Sequence, residues 1–322
     1  LDEVVITAQN DPIKSHTIGI NRIPMQSISK IPVIAGEKDL LKAYQLMPGV
    51  QGGMEGTAGM VVRGSSPGEN LVLLDGVPVY NVNHLFCFFS VINSDAINSS
   101  TLMKGAMPAR YGGRISSVLD IRMKEGNSQK IKASLTAGII SARLLAEGPL
   151  IKDRSTFLVS IRRTYLELLG YPYFKWILKE EGMWSYKFQD VNVKLNHRFN
   201  KKDRLYFSMY TGDDAYHYAL SEDTETETGN VHYEEEDGFT WGNITGTLRW
   251  NHQFGSRMFS NATLLYSKYH FATNTFREDI TTTADDTETL RYSMGFNSGI
   301  EDYGAAYDLD FYPNNNHKIR FG

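Results

Sequence analysis

Gly64-Ser65-Ser66-Pro67-Gly68 has the literal spacing G-x-S-x-G, and Asp75 and His84 follow it in the order serine, acid, histidine. Those are the residue types of acyl transfer: a nucleophile, a base and an acid that orients the base. The chemistry needs the serine on a sharp strand-to-helix turn. Here Pro67-Gly68-Glu69-Asn70 reads as a turn and Leu71–Asp75 as a strand, so the spacing argues against a hydrolase and no enzyme activity is expected. The 8 histidines include no H-E-x-x-H, and no paired cysteines occur, so neither a metal site nor a cofactor is expected. The single cysteine, Cys87, reads as a small buried hydrophobe. His84 lies in Asn81–Phe89 (NVNHLFCFF) and reads either as a pocket-lining group or as a loop histidine against a wall. Arg63, Arg110 and Arg114 sit in apolar or glycine-rich stretches (VVRG, ARYGGR), where a buried guanidinium needs carboxylate partners to offset desolvation. The stretch Thr211–Phe239 holds ten acids and no Lys or Arg, which reads as a solvated acidic loop.

The elements that position these residues fall into two kinds. Lys38–Met47 spaces Leu40, Leu41, Tyr44 and Met47 on one helical face, and Pro48-Gly49 ends it. Val61–Arg63, Leu71–Asp75, Leu102–Lys104 and Ser116–Arg122 read as short strands, with a helical turn in Asp95–Thr101 and a tight turn at Asp75-Gly76. From Lys130 the pattern changes to long period-2 alternation. Val191, Val193 and Leu195 alternate with Asn192, Lys194 and Asn196; Ile244, Leu248 and Trp250 alternate with Thr245, Thr247, Arg249 and Asn251. The reading gives about nine strands from Ile131 to Phe321. Short turns at Gly148–Arg154, Asn200–Asp203, Gly255–Arg257 and Pro313–Asn316 alternate with long connections at Thr164–Ser185, Thr211–Phe239 and Ala272–Thr289, the two-rim pattern of an outer-membrane barrel. Tyr206, Tyr210, Phe254, Tyr269 and Phe271 are expected to form interfacial girdles.

Bulk properties agree. Net charge is −4 over 322 residues, and the pI of about 6.1 gives no sign of a nucleic-acid partner. Mean hydropathy of −0.33 does not exclude a membrane, because half of each barrel strand stays polar. No run reaches the roughly 18 apolar residues of a spanning helix. An open run of strands would leave an unpaired edge in lipid. The sequence is therefore expected to continue past Gly322, and its start at Leu1 without Met leaves room for an export signal or a further domain before it.

Five stretches in order carry a family resemblance: Leu46–Val50 (LMPGV), Val62–Gly64 (VRG), Leu74–Val79 (LDGVPV), Lys104-Gly105 and Ala109–Gly113 (ARYGG). Followed by barrel strands, they resemble the plug of TonB-dependent outer-membrane receptors of the Bacteroidota type. The resemblance implies a mainly β protein with a small α+β plug inside an antiparallel transmembrane barrel, 22-stranded when complete. It divides the chain into residues 1–8, a TonB-box-like segment or the end of a preceding domain; 9–128, the plug; and 129–322, the first part of the barrel. Asp2–Thr7 (DEVVIT) resembles a TonB box, so Val4, Val5, Ile6 and Thr7 are expected to pair with the TonB sheet edge by β-augmentation. Arg63 and one of Arg110 or Arg114 are implied to seat the plug against acids of the barrel wall. Met54, Glu55, Tyr80, Asn81, Asn83 and His84 are expected on substrate-facing plug loops. The implied activity is TonB-dependent import across the outer membrane, driven through the ExbB-ExbD motor, in contact with outer-membrane lipid and open to a surface lipoprotein partner. The alternative is a non-transporting binding or structural subunit of the same fold. The resemblance leaves the substrate open among iron chelates, haem, cobalamin, oligosaccharides and peptides.

Overall fold

The computed structural model describes residues 20–23, 37–53, 58–84, 87–105, 107–177, 182–226, 229–314 and 317–322. The first unit contains β1 (Ile20–Ile23), α1 (Leu40–Gln45), β2 (Val50–Gln51), β3 (Val61–Val62), β4 (Asn70–Leu74), β5 (Val77–Pro78), β6 (Asn83–His84), β7 (Phe89–Ser90), β8 (Ile97–Lys104) and β9 (Ser117–Met123). Asp39 caps α1: its Oδ1 accepts from the Leu41 and Lys42 amides at 2.8 and 3.2 Å. Its Oδ2 accepts from the Ser90 amide at 2.6 Å, which ties the helix start to β7. The helix buries Leu40, Leu41 and Tyr44 against Val62, Leu102, Leu119 and Ile121. A five-stranded sheet runs β1-β8-β9-β4-β5, with β4 parallel to β9. Asp75 and Gly76 have φ of 51° and 91°, the doubly positive conformation of a two-residue hairpin turn between β4 and β5.

Among the described residues, the rest of the chain forms one antiparallel meander of nine strands: β10 (Lys132–Ala137), β11 (Ser141–Ile151), β12 (Ser155–Thr164), β13 (Gly182–Arg198), β14 (Asp203–Thr226), β15 (Gly229–Gln253), β16 (Met258–Thr282), β17 (Thr287–Asn314) and β18 (His317–Phe321). Helix α2 (Leu166–Ile177) lies between β12 and β13. Cross-strand register sorts the two faces. Leu195, Phe207, Leu248 and Leu264 form one row, and all four are exposed. One residue away, Lys194, Ser208 and Thr247 form the next row and are buried against the first unit. An exposed apolar face opposite a covered polar face is the inverse of a soluble sandwich and suits a lipid-facing wall.

Two sequence expectations change here. The stretches Thr211–Phe239 and Ala272–Thr289 are largely not loops: β14 pairs with β15 through Thr226↔Gly229, and β16 with β17 through Thr282↔Thr287. An antiparallel ladder needs backbone partners, not apolar faces, so it continues where alternation of apolar residues ends. Strands of 24, 25, 25 and 28 residues far exceed the roughly 9–11 that a tilted spanning strand needs, so they project beyond the apolar band. Thr164–Ser185 holds α2. The aromatic girdle also changes. Tyr206, Tyr210, Tyr269 and Phe271 fall on the inner face by register, and Tyr210 is fully buried. Trp250 and Phe254 are exposed near the short turns and suit an interfacial position.

Candidate functional site

The first unit sits against the inner face of the sheet through a chain of buried charges. Period-2 alternation puts Asp190, Asn192 and Lys194 of β13 on that face, all buried. Among the described residues, buried ion pairs join the two units at three places. In the first, Lys194 Nζ donates to both oxygens of Asp75 at 3.1 and 3.0 Å, and to the Met123 carbonyl at 3.2 Å. Ser208 Oγ adds a 2.5 Å bond to Asp75, and the Met123 amide a 3.2 Å bond. The hairpin turn at Asp75-Gly76 thus aims one carboxylate into the wall and satisfies it there.

In the second, His84 of β6 places Nε2 2.8 Å from Asp190 Oδ1 and Nδ1 against Asp214. Tyr186 donates to Asp214, and Tyr210 donates to Asp190 at 2.8 Å. The His84 ring stacks on Phe188 at 4.3 Å, with an interplanar angle of 7°. Burial pulls the His84 pKa down, but Asp190 and Asp214 outweigh it and raise it to about 9. The ring is therefore cationic at neutral pH, and both nitrogens donate.

In the third, Arg162 of β12 donates from Nε to Asp190 at 2.7 Å and from Nη2 to the Ser90 carbonyl at 2.8 Å. Its Nη1 lies 3.4 Å from Glu37. Arg143 of β11 stands 3.8 Å from Glu37 and 3.4 Å from Asp95. Arg162, His84, Asp190 and Lys194 are all at most 2 % exposed, so each charge survives burial only through the others.

This arrangement reverses the expected polarity of the seat. The first unit contributes the acids Glu37, Asp75 and Asp95, and the sheet contributes Arg143, Arg162 and Lys194; His84 is the exception, with its acids on the sheet. Arg63 is exposed at φ 55°, and its guanidinium lies over Gly105 within the first unit. Arg114 bonds the adjacent Gly113 carbonyl at 2.8 Å and lies 5.8 Å from the Tyr80 ring. Arg110 alone of the three reaches a sheet acid, Asp308 at 3.7 Å, with both side chains a quarter or more exposed. Among the described residues, Arg63 and Arg114 pair with no acid of the sheet.

The substrate-facing expectations also divide. His84 is 1 % exposed and enclosed by wall residues, so it lines no open surface. Asn81 is exposed, and Tyr80 and Asn83 are half-buried. Tyr80 donates to Asp302, and its amide bonds Asn243 Oδ1 at 3.1 Å. Burial and Asp302 push the Tyr80 hydroxyl pKa up to about 12. The Asn83 carbonyl accepts from Trp241 Nε1 at 3.1 Å, and the Pro78 carbonyl from Ser267 at 2.7 Å. Residues 78–84, with His84 included, therefore form a strap bonded to five strands of the wall, β13 to β17. Met54, Glu55 and Val4–Thr7 lie outside the described residues.

Hydrolase geometry is absent. Pro67–Glu69 is a single helical turn that runs straight into β4, and both His84 nitrogens are engaged by Asp190 and Asp214. Among the described residues no group of three or more His, Cys, Asp or Glu is placed to hold a metal ion. Sequence reasoning did not single out Glu37, Arg162, Asp190, Lys194 or Asp214 for the seat. The available signal was charge at covered-face positions of strands whose other face is apolar, a costly placement that marks function.

Residues 12–118 match the family profile described as TonB-dependent Receptor Plug Domain. None of the curated proteins matches the chain. Among solved structures, the siderophore receptor PirA from Acinetobacter baumannii matches at 15% identity and a TM-score of 0.46, over 93% of this chain and 59% of that one. The ferric enterobactin receptor PfeA from Pseudomonas aeruginosa matches at 13% identity and 0.45, over 94% and 61%. The ferric yersiniabactin uptake receptor FyuA from Yersinia pestis matches at 11% and 0.43, over 93% and 63%. The chain spans about three fifths of the length of the first two structures. Over residues 12–118 the chain is thus similar to the plug domain of TonB-dependent receptors.

Proposed function

We propose that this protein gates energised import of a substrate across the outer membrane, with the plug as the gate and the buried charges as its seat. The observation that supports this most is the composition of the seat. A permanently fixed plug needs only apolar packing. Here Asp75–Lys194 and His84–Asp190 join two units through groups that water readily resolvates, so separation replaces one set of polar partners with another. Val4, Val5, Ile6 and Thr7 supply the strand on which TonB pulls, and TonB draws on the ExbB-ExbD motor. Force on that segment draws the N-terminal part of the plug away from the wall and opens a path beside it. No chemistry on the substrate is required. A surface lipoprotein above the barrel is compatible with the long projecting strands.

The test uses the natural full-length protein in outer membranes. Val5→Pro removes a backbone donor from the docking strand. The variant is expected to lose capture of the TonB C-terminal domain while its barrel stays heat-modifiable on a gel. Unchanged capture would overturn the docking assignment and favour a static subunit.

A further inference from the structure

Above the seat, the inner face of the sheet carries a second constellation. Cross-strand register places Tyr186, Tyr216, Phe239 and Phe296 in one row, and Phe188, Trp241 and Phe271 in the row below. Tyr186, Phe188 and Trp241 are buried, while Tyr216, Phe239 and Phe271 are half-exposed and Phe296 is exposed. Tyr216 and Phe239 stack at 4.6 Å, Phe239 and Trp241 at 5.4 Å, and Phe271 meets Phe296 at 6.2 Å. Two ring groups, Tyr216–Phe239–Trp241 stacked and Phe271–Phe296 tilted, thus form an aromatic floor on this face.

The charges around that floor have one dominant sign. Asp237 precedes Phe239 by two residues on the same face, about 7 Å along the strand. Glu235 and Asp279 lie further out on that face. Among the described inner-face residues of these outer rows, Arg277 is the one base, and it pairs with Glu235 at 2.6 Å. No cation pairs with Asp237 among the described residues. Aromatic faces carry negative potential at their centres and favour cations, and an uncompensated carboxylate beside them adds to the same field.

We infer that this basin binds an organic cation with a planar or apolar face, and that it selects against anionic ligands of the same shape. The inference rests on the import reading for its purpose but not for its test. Charge complementarity argues for this occupant: an anion would have to enter past Asp237 and Asp279 without a free base to receive it among the described residues of these rows. Phe239 and Phe296 would take the apolar face, and Asp237 the charge.

Tetraphenylphosphonium and tetraphenylborate have nearly the same shape and opposite charge. Binding of each to the natural protein in nanodiscs is measured by equilibrium dialysis, with protein-free nanodiscs as reference. The cation is expected to bind at least about tenfold tighter than the anion. Asp237→Asn is expected to reduce that preference several-fold with an unchanged melting temperature, and Phe239→Leu to weaken the cation. Equal or tighter binding of the anion, no binding of either probe, or an undiminished preference in Asp237→Asn would each overturn the inference. Binding in nanodiscs requires no TonB, so a failed TonB capture experiment leaves this result standing, and the reverse also holds.

Discussion

The plug meets the wall along two seams that use the same residue types in opposite ways. At the first, Arg162, His84, Asp190, Lys194 and Asp75 are buried and interlocked, with contacts of 2.5 to 3.1 Å. At the second, Arg110 faces Asp308 at 3.7 Å with both side chains partly in water. Coulomb attraction exists at both, but only the first has excluded the solvent that would replace a lost partner. A missing partner there leaves a buried charge, whereas at the open seam water takes its place. The difference makes the first seam a buried, interdependent joint and the second a loose edge.

The comparison can be broken most sharply at Arg162. Arg162→Met would leave Asp190 with His84 alone and Glu37 with Arg143 at 3.8 Å, and the plug is expected to lose about 3–5 kcal/mol of its seating free energy. Protease accessibility of the plug in the folded barrel reports the loss. His84→Gln keeps a hydrogen-bonding side chain but removes the charge between Asp190 and Asp214, and a smaller loss of about 1–3 kcal/mol is expected. The same residue predicts a pH dependence. Because its folded pKa of about 9 lies above the usual 6.5, its contribution is complete below about 6.5 and is lost as pH rises through about 9. A plug-release transition near pH 9 that vanishes in His84→Gln would sharpen the comparison, and a transition that persists unchanged would assign it to another group. At the open seam, Arg110→Met is expected to cost at most about 1 kcal/mol by the same protease assay. Arg63→Ala, at an exposed turn, is expected to stay within about 0.5 kcal/mol of the parent.

The sequence made the elements legible where physics is local. Asp75-Gly76 announced its turn, Pro48-Gly49 the end of α1, and the alternation around Lys194 and Leu195 the two faces of β13. The seat was not legible in the same way. His84 and Asp190 are 106 residues apart, and Lys194 and Asp75 are 119 apart, so no spacing rule connects them. Sequence reasoning weighed the arginines in glycine-rich plug segments because a guanidinium in such surroundings looks as if it needs an acid. It underweighted Asp75 because turn chemistry already explained that residue. The projecting halves of β14 to β17 were hidden for another reason. Outside lipid, neither face needs to be apolar, and the Thr- and Glu-rich ladder there looks like a loop to any reading based on hydrophobic period.

The claim at the centre of this account is that the plug is held by charges that act across the two units. A double-mutant cycle on Asp75→Asn and Lys194→Met, read by denaturant unfolding of the natural protein in detergent micelles, tests it most directly. Each single substitution is expected to destabilise the plug, and the double variant is expected to be less damaged than the sum by at least about 1.5 kcal/mol. Additive effects within about 0.5 kcal/mol would mean that Asp75 and Lys194 act independently, and would contradict the seat.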